Sequence, residues 1–176
     1  MANRSVGKFV ATAQQRKEAA RFVIYELWML RECANMPDPR TQAERNVWYE
    51  GLVLHARVLR DFFLTKWNNG SRVTHDTDIV AADFFTDPTT WGYTSATLPT
   101  YLGAHKERMD GALAHLSFRR LDYENKQKSW DPDCILSEIG DMWLEFIKRL
   151  QDRNEPAVPW FLEWAHRTKL PVAPPF

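Results

Sequence analysis

The chain has 176 residues, of which 44% are hydrophobic and 26% are charged, a composition typical of one soluble globular domain with a sizeable core. Its 23 basic and 23 acidic side chains give a formal net charge of zero, which argues against a protein that relies on non-specific phosphate contacts. Eight tryptophans and ten phenylalanines predict either an aromatic helical core or an aromatic surface for a partner.

The first predicted element is a helix from about Lys8 to Ala34. Its apolar residues are spaced by three, four or seven positions, which places them on one face. Pro37 and Pro39 then prevent the helix from continuing. The N-terminal residues become polar before a signal-type apolar run develops, and the most apolar run is too short to span a bilayer. We therefore expect a cytoplasmic protein with no membrane partner.

The second predicted helix has the clearest start signal in the chain. Thr41-Gln-Ala-Glu44 matches a capping box, in which the threonine and glutamate side chains each satisfy an amide at the helix start. An apolar stripe follows, and Asn68-Asn69-Gly70 is a stop signal. His55 falls inside this stripe, a position that favours a hydrogen-bonded core histidine over a ligand or a base.

Residues 71–98 show no sustained period and predict a long structured loop that crosses over the bundle and packs four aromatic side chains onto it: Phe84, Phe85, Trp91 and Tyr93. A short helix within the loop is predicted at 78–85. A third helix is predicted from about Pro99 to Tyr123. A fourth is framed by Asp131 and Pro132, an N-cap followed by a first-turn proline. The apolar face predicted for this helix consists of Ile135, Ile139, Met142, Trp143, Phe146 and Leu150.

The chain from Asn154 onward contains five prolines, and one or two helical turns are predicted from Pro159 to His166. The predicted fold class is all-α: a four- to five-helix bundle with a long irregular crossover loop between helices 2 and 3. We assign residues 1–153 to the bundle and residues 154–176 to a proline-rich tail that packs on the bundle or on a partner.

The third predicted helix carries the strongest candidate site. At about 100° per residue, Arg108 and His115 lie within about 20° of each other on one face, two turns apart. Arg119 lies one turn further along, and His105 lies one turn before Arg108. This arrangement suits phosphate binding and proton transfer beside a phosphate, with His115 and Arg108 as catalytic residues and Arg119 and His105 as substrate-binding residues. A solvated flank, or a histidine hydrogen-bonded inside the bundle, is the alternative interpretation.

Arginine, six residues and then histidine on a helix of a small bundle resembles the HEPN superfamily (higher-eukaryote and prokaryote nucleotide-binding domains), whose motif is arginine, four to six residues, then histidine. Arg108 and His115 match at the upper limit of this spacing. Residues 55–63 and 114–117 also resemble small uncharacterised bacterial bundle proteins. The HEPN resemblance implies a homodimer in which two Arg–His pairs line a shared cleft. It also implies a metal-independent endoribonuclease of a bacterial defence or toxin–antitoxin system.

The same resemblance implies a role for each residue of the motif. His115 would act as general acid or base near the ribose 2′-hydroxyl or the leaving oxygen, and Arg108 would stabilise charge on the scissile phosphate. Active members of the family usually carry a polar residue directly after the arginine. This chain has Met109 there, as an inactive relative would.

Other classes of site lack their motifs in this sequence. The five histidines include no His-x-x-x-His pair, and Cys33 and Cys134 have no zinc or redox spacing. Glu163 and His166 form the one Glu-x-x-His element, whereas a di-iron bundle needs two. The sequence contains neither a glycine-rich phosphate loop nor a Gly-x-Ser-x-Gly motif. We therefore expect no metal and no cofactor.

Two alternatives to an RNA-acting protein remain open. A non-catalytic interaction module, such as an antitoxin, an adaptor or an inactive relative, predicts an exposed apolar patch for a cognate protein partner, around Trp160, Phe161 and Trp164. A small-molecule-binding bundle instead predicts an enclosed pocket between the helices and the Asp/Thr-rich loop.

Overall fold

The computed structural model describes residues 11–37, 39–65, 67–68, 71–72, 78–92, 99–114 and 130–169, with the backbone alone at 67–68, 71–72 and 112–114. Six α-helices lie within these residues. They are α1 (Ala13–Ala34), α2 (Gln42–Leu64), α3 (Thr100–Ala104), α4 (Lys106–Ala114), α5 (Pro132–Asp152) and α6 (Val158–Arg167). Strands β1 (Trp67–Asn68) and β2 (Ser71–Arg72) form a two-residue antiparallel pair. The predicted all-α fold class is confirmed.

Capping boxes fix the starts of α1 and α2. Thr12 and Gln15 exchange side-chain-to-amide hydrogen bonds at the start of α1, so this helix begins at Ala13 rather than near Lys8, where we predicted it. Thr41 and Glu44 do the same for α2, as predicted.

The end of α2 differs from the prediction. This helix stops at Leu64, before the predicted signal at 68–70. Thr65 has an extended backbone, with φ −65° and ψ 122°, and such a conformation cannot continue a helix. The next described residues belong to β1, whose Trp67 pairs with Arg72 of β2.

The predicted third helix is interrupted at His105. This residue ends α3 with φ −103° and ψ 8°, far from the helical ψ of about −42°, and α4 begins at the next residue. Backbone hydrogen bonds continue across the break. The His105 amide donates to the Tyr101 carbonyl oxygen, and the Met109 amide donates to the His105 carbonyl oxygen. The part of this prediction beyond Ala114 lies outside the described residues.

α5 is the central helix. Asp131 caps it by accepting a hydrogen bond from the Cys134 amide at 3.0 Å, and Pro132 is its first residue, as predicted. The six residues of its predicted apolar face are all buried: Ile135, Ile139, Met142, Trp143, Phe146 and Leu150. α1, α2, α3 and α6 all pack against α5. In addition, α6 packs on α1 and α4 packs on α2.

The segment at 78–92 closes one side of the core, with 3₁₀ turns at Ala81–Phe84 and Pro88–Thr90. Phe84, Phe85 and Trp91 are buried against Phe146, so the predicted packing of this loop is confirmed for the described part. The buried Glu155 carboxylate ties the segment to the turn between α5 and α6. It accepts hydrogen bonds from the Thr86 amide at 2.9 Å and from the Thr86 hydroxyl at 2.6 Å.

Candidate functional site

Two of the four predicted site residues, His105 and Arg108, lie in the described part of the chain. His115 and Arg119 lie outside the described residues, so the approach of His115 to Arg108 stays a prediction. We therefore build the candidate site from His105 and Arg108.

These two side chains belong to a cluster of rings between α3, α4 and the start of α5. Tyr101 and His105 are stacked, with ring centroids 4.2 Å apart and planes 14° apart. The guanidinium carbon of Arg108 lies 3.9 Å from the centroid of the Trp130 ring, and the His105 and Trp130 centroids are 6.0 Å apart. We call Tyr101, His105, Arg108 and Trp130 the Trp130 cluster.

The start of α5 holds this cluster in place. The Glu138 carboxylate accepts hydrogen bonds from the amides of Tyr101 and Leu102, at 2.7 and 2.8 Å, and so satisfies two amides at the start of α3 that have no partner within that helix. The Tyr101 hydroxyl accepts a hydrogen bond from the Asp131 amide at 2.8 Å. Burial raises the pKa of this hydroxyl, which keeps it in the neutral form. The backbone amide and the hydroxyl of Tyr101 are therefore both hydrogen-bonded to residues at the start of α5.

The break at His105 determines how the imidazole is presented. Nδ1 of His105 lies 3.1 Å from the carbonyl oxygen of Tyr101. A carbonyl oxygen only accepts hydrogen bonds, so Nδ1 carries the proton in this contact and Nε2 of the neutral ring is left as an acceptor. His105 is half-buried, so the imidazole combines a fixed orientation with partial access to solvent.

Met109 follows Arg108 directly, at the position where active HEPN proteins usually carry a polar residue. Its side chain is fully buried, and its sulfur lies 3.8 Å from an Arg60 nitrogen. Arg108 instead faces Trp130. The residue after the arginine therefore points into the interior in this chain, away from the Trp130 cluster.

An ionic junction joins α2 to α4, and no local sequence pattern predicted it. The Arg60 side chain is 3% exposed and donates hydrogen bonds to the carboxylates of Asp61 and Asp110, both at 2.7 Å. Lys106 and Arg57 also contact Asp110, at 2.9 and 3.3 Å. Arg57 also lies 3.9 Å from Asp61 on its own helix. We call these five residues the α2–α4 junction.

The charges of the α2–α4 junction stabilise one another. Burial alone would raise the pKa of Asp110, but hydrogen bonds from Arg60 and Lys106 outweigh it and hold this pKa below its usual value. For the cationic Arg60 the directions are reversed. Burial would lower its pKa, but its hydrogen bonds to Asp110 and Asp61 outweigh burial and raise this pKa above its usual value. Each of these side chains has a structural partner, so the junction positions α4 rather than forming a second candidate site.

His55 is the hydrogen-bonded core histidine that the sequence favoured. It is 9% exposed, and its Nδ1 lies 2.7 Å from a carboxylate oxygen of Glu26 on α1. The ring of Tyr25 approaches it edge-on, with centroids 6.3 Å apart. The pair of His55 and Glu26 joins α1 to α2.

The proposed aromatic patch on the tail is contradicted. Phe161 is fully buried, while Trp160 and Trp164 are partly buried against the core. These rings fill space between α6 and the bundle, so the exposed apolar surface predicted there is absent from the described part of the tail.

A groove of about 260 Å³ lies between the start of α1 and the segment at 78–84. Phe22, Ile79 and Phe84 are among its lining residues, as is Arg16. Its position matches the one predicted for a small-molecule pocket. Its volume falls below the usual range of roughly 300–1,000 Å³ for ligand pockets.

No protein-family model matches the chain, and no curated protein or solved structure is significantly similar to it. Among the described residues, no helix is both long and apolar enough to cross a membrane. Nor does the described part of the chain contain a group of three or more metal-ligating side chains. The Trp130 cluster is therefore the candidate site on the strength of its chemistry.

Proposed function

We propose that this chain is a HEPN-like, RNA-acting protein of a bacterial defence or toxin–antitoxin system that works as a homodimer. The observation that supports the proposal is the position of the Arg108 guanidinium over the Trp130 ring, with its carbon 3.9 Å from the ring centroid, beside the stacked pair of His105 and Tyr101. Cationic and aromatic side chains occur together in proteins that bind unpaired nucleic acid, in which the cations pair with the phosphates.

A guanidinium is a suitable group for a phosphate ligand, because its N–H groups match the oxygens of a phosphate in spacing and direction. Trp130 is 8% exposed and directly precedes Asp131, the N-cap of α5. The buried ring at the start of the central helix therefore gives Arg108 a rigid support.

In the proposed reaction the ribose 2′-oxygen attacks the adjacent phosphorus and the bond from phosphorus to the 5′-oxygen breaks. The products are a 2′,3′-cyclic phosphate and a 5′-hydroxyl. One proton leaves the 2′-hydroxyl and one reaches the leaving oxygen, and His115 carries one of these transfers as general base or acid. Arg108 stabilises the charge on the phosphate oxygens, while His105 and Arg119 contact the RNA chain.

The test is cleavage of mixed single-stranded RNA in EDTA by the wild type, Arg108→Ala and His115→Ala. Arg167→Ala is a matched control, because Arg167 also lies over a tryptophan, with 4.8 Å to the Trp164 centroid, but on α6. We expect the wild type and Arg167→Ala to release cyclic phosphate ends. The rate should fall about 10²-fold or more in Arg108→Ala and about 10²–10⁴-fold in His115→Ala. Equal rates in all four proteins would contradict the proposal.

An inactive RNA-binding relative is the second candidate, and the buried side chain of Met109 favours it. In that case the folded wild type binds labelled RNA in a filter or polarisation assay and releases no cyclic phosphate. Arg108→Ala then weakens binding, whereas Arg167→Ala does not. If the wild type neither binds nor cleaves RNA, both candidates fail.

A further inference from the structure

The proposed reaction moves two protons, and His115 carries one of them. A second histidine, His105, lies in the Trp130 cluster, where the proposed function gives it only a contact with the RNA chain. Its ring is held in one orientation, and one of its nitrogens has no hydrogen-bond partner among the described residues. A fixed ring with an unbonded nitrogen is suited to proton transfer.

One carbonyl oxygen holds both the backbone and the ring of His105. The Tyr101 carbonyl oxygen accepts a hydrogen bond from the His105 backbone amide at 3.0 Å and lies 3.1 Å from Nδ1 of the imidazole. A carbonyl oxygen has two lone pairs, so it can accept both hydrogen bonds. The Tyr101 ring also stacks on one face of the imidazole. The ring is therefore held by a hydrogen bond at one nitrogen and by a stacking contact on one face.

The central helix in turn fixes the position of Tyr101. The Glu138 carboxylate accepts a hydrogen bond from the Tyr101 amide, and the Asp131 amide donates one to the Tyr101 hydroxyl. Groups supported by helices hold their geometry better than groups on loops. The direction of the His105 ring is therefore set before any substrate binds.

The hydrogen bond at Nδ1 also determines what Nε2 can do. With the proton on Nδ1, the neutral ring has a lone pair at Nε2 and can accept a proton there. Once Nε2 is protonated, Nδ1 still donates to the Tyr101 carbonyl oxygen. A hydrogen bond from a charged donor is stronger than one from a neutral donor, so the same contact stabilises the protonated ring. The contact with Tyr101 therefore suits a base.

The other histidines of the described residues lack this combination. His55 is 9% exposed, and its Nδ1 lies against the Glu26 carboxylate, which ties its ring into the core. His166 is exposed on α6, and no described residue hydrogen-bonds its ring. Among these three, His105 is the one whose ring is fixed through Nδ1 and is also partly open to solvent.

His105 also lies close to the cation that the proposed function assigns to the phosphate. The Arg108 guanidinium carbon is 3.9 Å and the His105 ring centroid is 6.0 Å from the centroid of the Trp130 ring. Reacting atoms, here the ribose 2′-oxygen and phosphorus, must come within about 3–3.5 Å of each other. A base for the 2′-hydroxyl must therefore be a neighbour of the cation that binds the phosphate, and His105 is such a neighbour of Arg108.

We infer that His105 is the general base of the proposed reaction. This assignment rests on the proposed function and leaves His115 as the general acid. Nε2 of His105 takes the proton of the ribose 2′-hydroxyl while the 2′-oxygen forms its bond to phosphorus. The bond from phosphorus to the 5′-oxygen breaks, and the leaving oxygen receives its proton from His115. Arg108 stabilises the charge on the phosphate oxygens.

The first test is the cleavage of a defined single-stranded oligonucleotide by His105→Asn. The asparagine amide can still donate to the Tyr101 carbonyl oxygen but cannot act as a base. We expect kcat to fall about 10²–10⁴-fold with little change in KM, because a base acts in the transition state. The matched control is His166→Asn, at an exposed position of α6, which should cleave like the wild type. A raised KM with an unchanged kcat would mean that His105 only binds RNA, and would overturn the inference.

The second test separates a base from an acid. In the same oligonucleotide, sulfur replaces the 5′-oxygen at the cleaved bond, so that the leaving group departs as a thiolate and needs no general acid. We expect His105→Asn to lose about the same factor in kcat on this substrate as on RNA. A rate equal to that of the wild type on the sulfur substrate would make His105 the general acid and overturn the assignment.

The third test does not depend on cleavage. NMR of nitrogen-labelled protein distinguishes a protonated from an unprotonated ring nitrogen, and the signals of His105 are those that disappear in His105→Asn. We expect the proton of the neutral ring on Nδ1, and a proton on Nε2 instead would overturn the inference. Equal kcat in the wild type and His105→Asn would overturn the inference and leave the proposed function standing. A wild type that cleaves no RNA would overturn both.

Discussion

Different interactions attach the two flanks of α2 to their neighbouring helices. Towards α5, Phe62 and Phe63 pack edge-on against Phe146, with centroids 5.6 and 6.0 Å apart. Towards α4, the buried guanidinium of Arg60 binds Asp110. The aromatic contact gains free energy mainly from area removed from water. The ionic contact gains little net free energy after desolvation, but it depends strongly on geometry. The aromatic flank therefore supplies stability, and the ionic flank fixes where α4 lies.

The largest expected effect comes from breaking the aromatic flank with Phe146→Ala. Phe146 is fully buried and contacts seven other aromatic rings, so the change removes buried area and leaves a cavity. We expect the free energy of unfolding in urea to fall by about 3–5 kcal/mol.

Leu144→Ala is the control for this change, because Leu144 is half-buried on the same helix. It should cost less than half as much free energy of unfolding. A similar loss of unfolding free energy in both variants would show that the aromatic flank contributes no more stability than the half-buried position does.

The sequence predicted the aromatic flank better than the ionic one, for a physical reason. Apolar burial on α5 repeats with the helical period, so a single sequence reveals its face. The burial of Arg60 depends on Asp110, which lies fifty positions later, and local spacing carries no signal for such a pair. The break at His105 was also missed, because helical periodicity predicted one continuous helix across this residue.

In the candidate site, too, helical spacing predicted some of the residues, and contacts between distant parts of the chain determine the others. Helical spacing placed His105 and Arg108 one turn apart on a shared face, and both do belong to one cluster. Trp130 was missed, because it precedes α5 and meets Arg108 only in the folded chain. Tyr101 was missed for a similar reason, since its anchoring depends on Glu138 of α5. Tertiary packing, rather than the pattern along one helix, completes the cluster.

Asp110→Asn tests the ionic flank and should have an intermediate effect. The amide keeps the shape of the side chain but leaves the buried Arg60 with Asp61 as its remaining carboxylate partner. We expect a loss of about 1–3 kcal/mol in the free energy of unfolding. Arg60→Met removes the buried charge and keeps much of the volume, so it should cost less than Asp110→Asn. The reverse order would mean that the junction contributes net stability as an ion pair.

The pH dependence of the Asp110→Asn effect sharpens this test. The folded-state pKa of Asp110 is lowered, so its carboxylate contributes stability above the unfolded-state pKa of about 3.9. That contribution is lost as the pH falls through the lower, folded-state pKa. The gap in unfolding free energy between wild type and Asp110→Asn should therefore be constant near neutral pH and shrink below about pH 4. A gap that stays unchanged at about pH 3 would exclude the carboxylate as its cause.

The smallest effect is expected at Lys106, the exposed residue of the ionic flank, and its size shows how much burial matters for the contact with Asp110. Lys106 contacts Asp110 at 2.9 Å, but its side chain is 63% exposed, so solvent screens the attraction. We expect Lys106→Ala to lower the free energy of unfolding by about 0.5 kcal/mol or less, and about 0.5 M salt to remove most of the difference. Arg60 and Lys106 bind the same carboxylate, so burial is the variable that distinguishes them. If Lys106→Ala cost as much as Asp110→Asn, the position of α4 would be set by the number of charges at the junction rather than by the buried guanidinium.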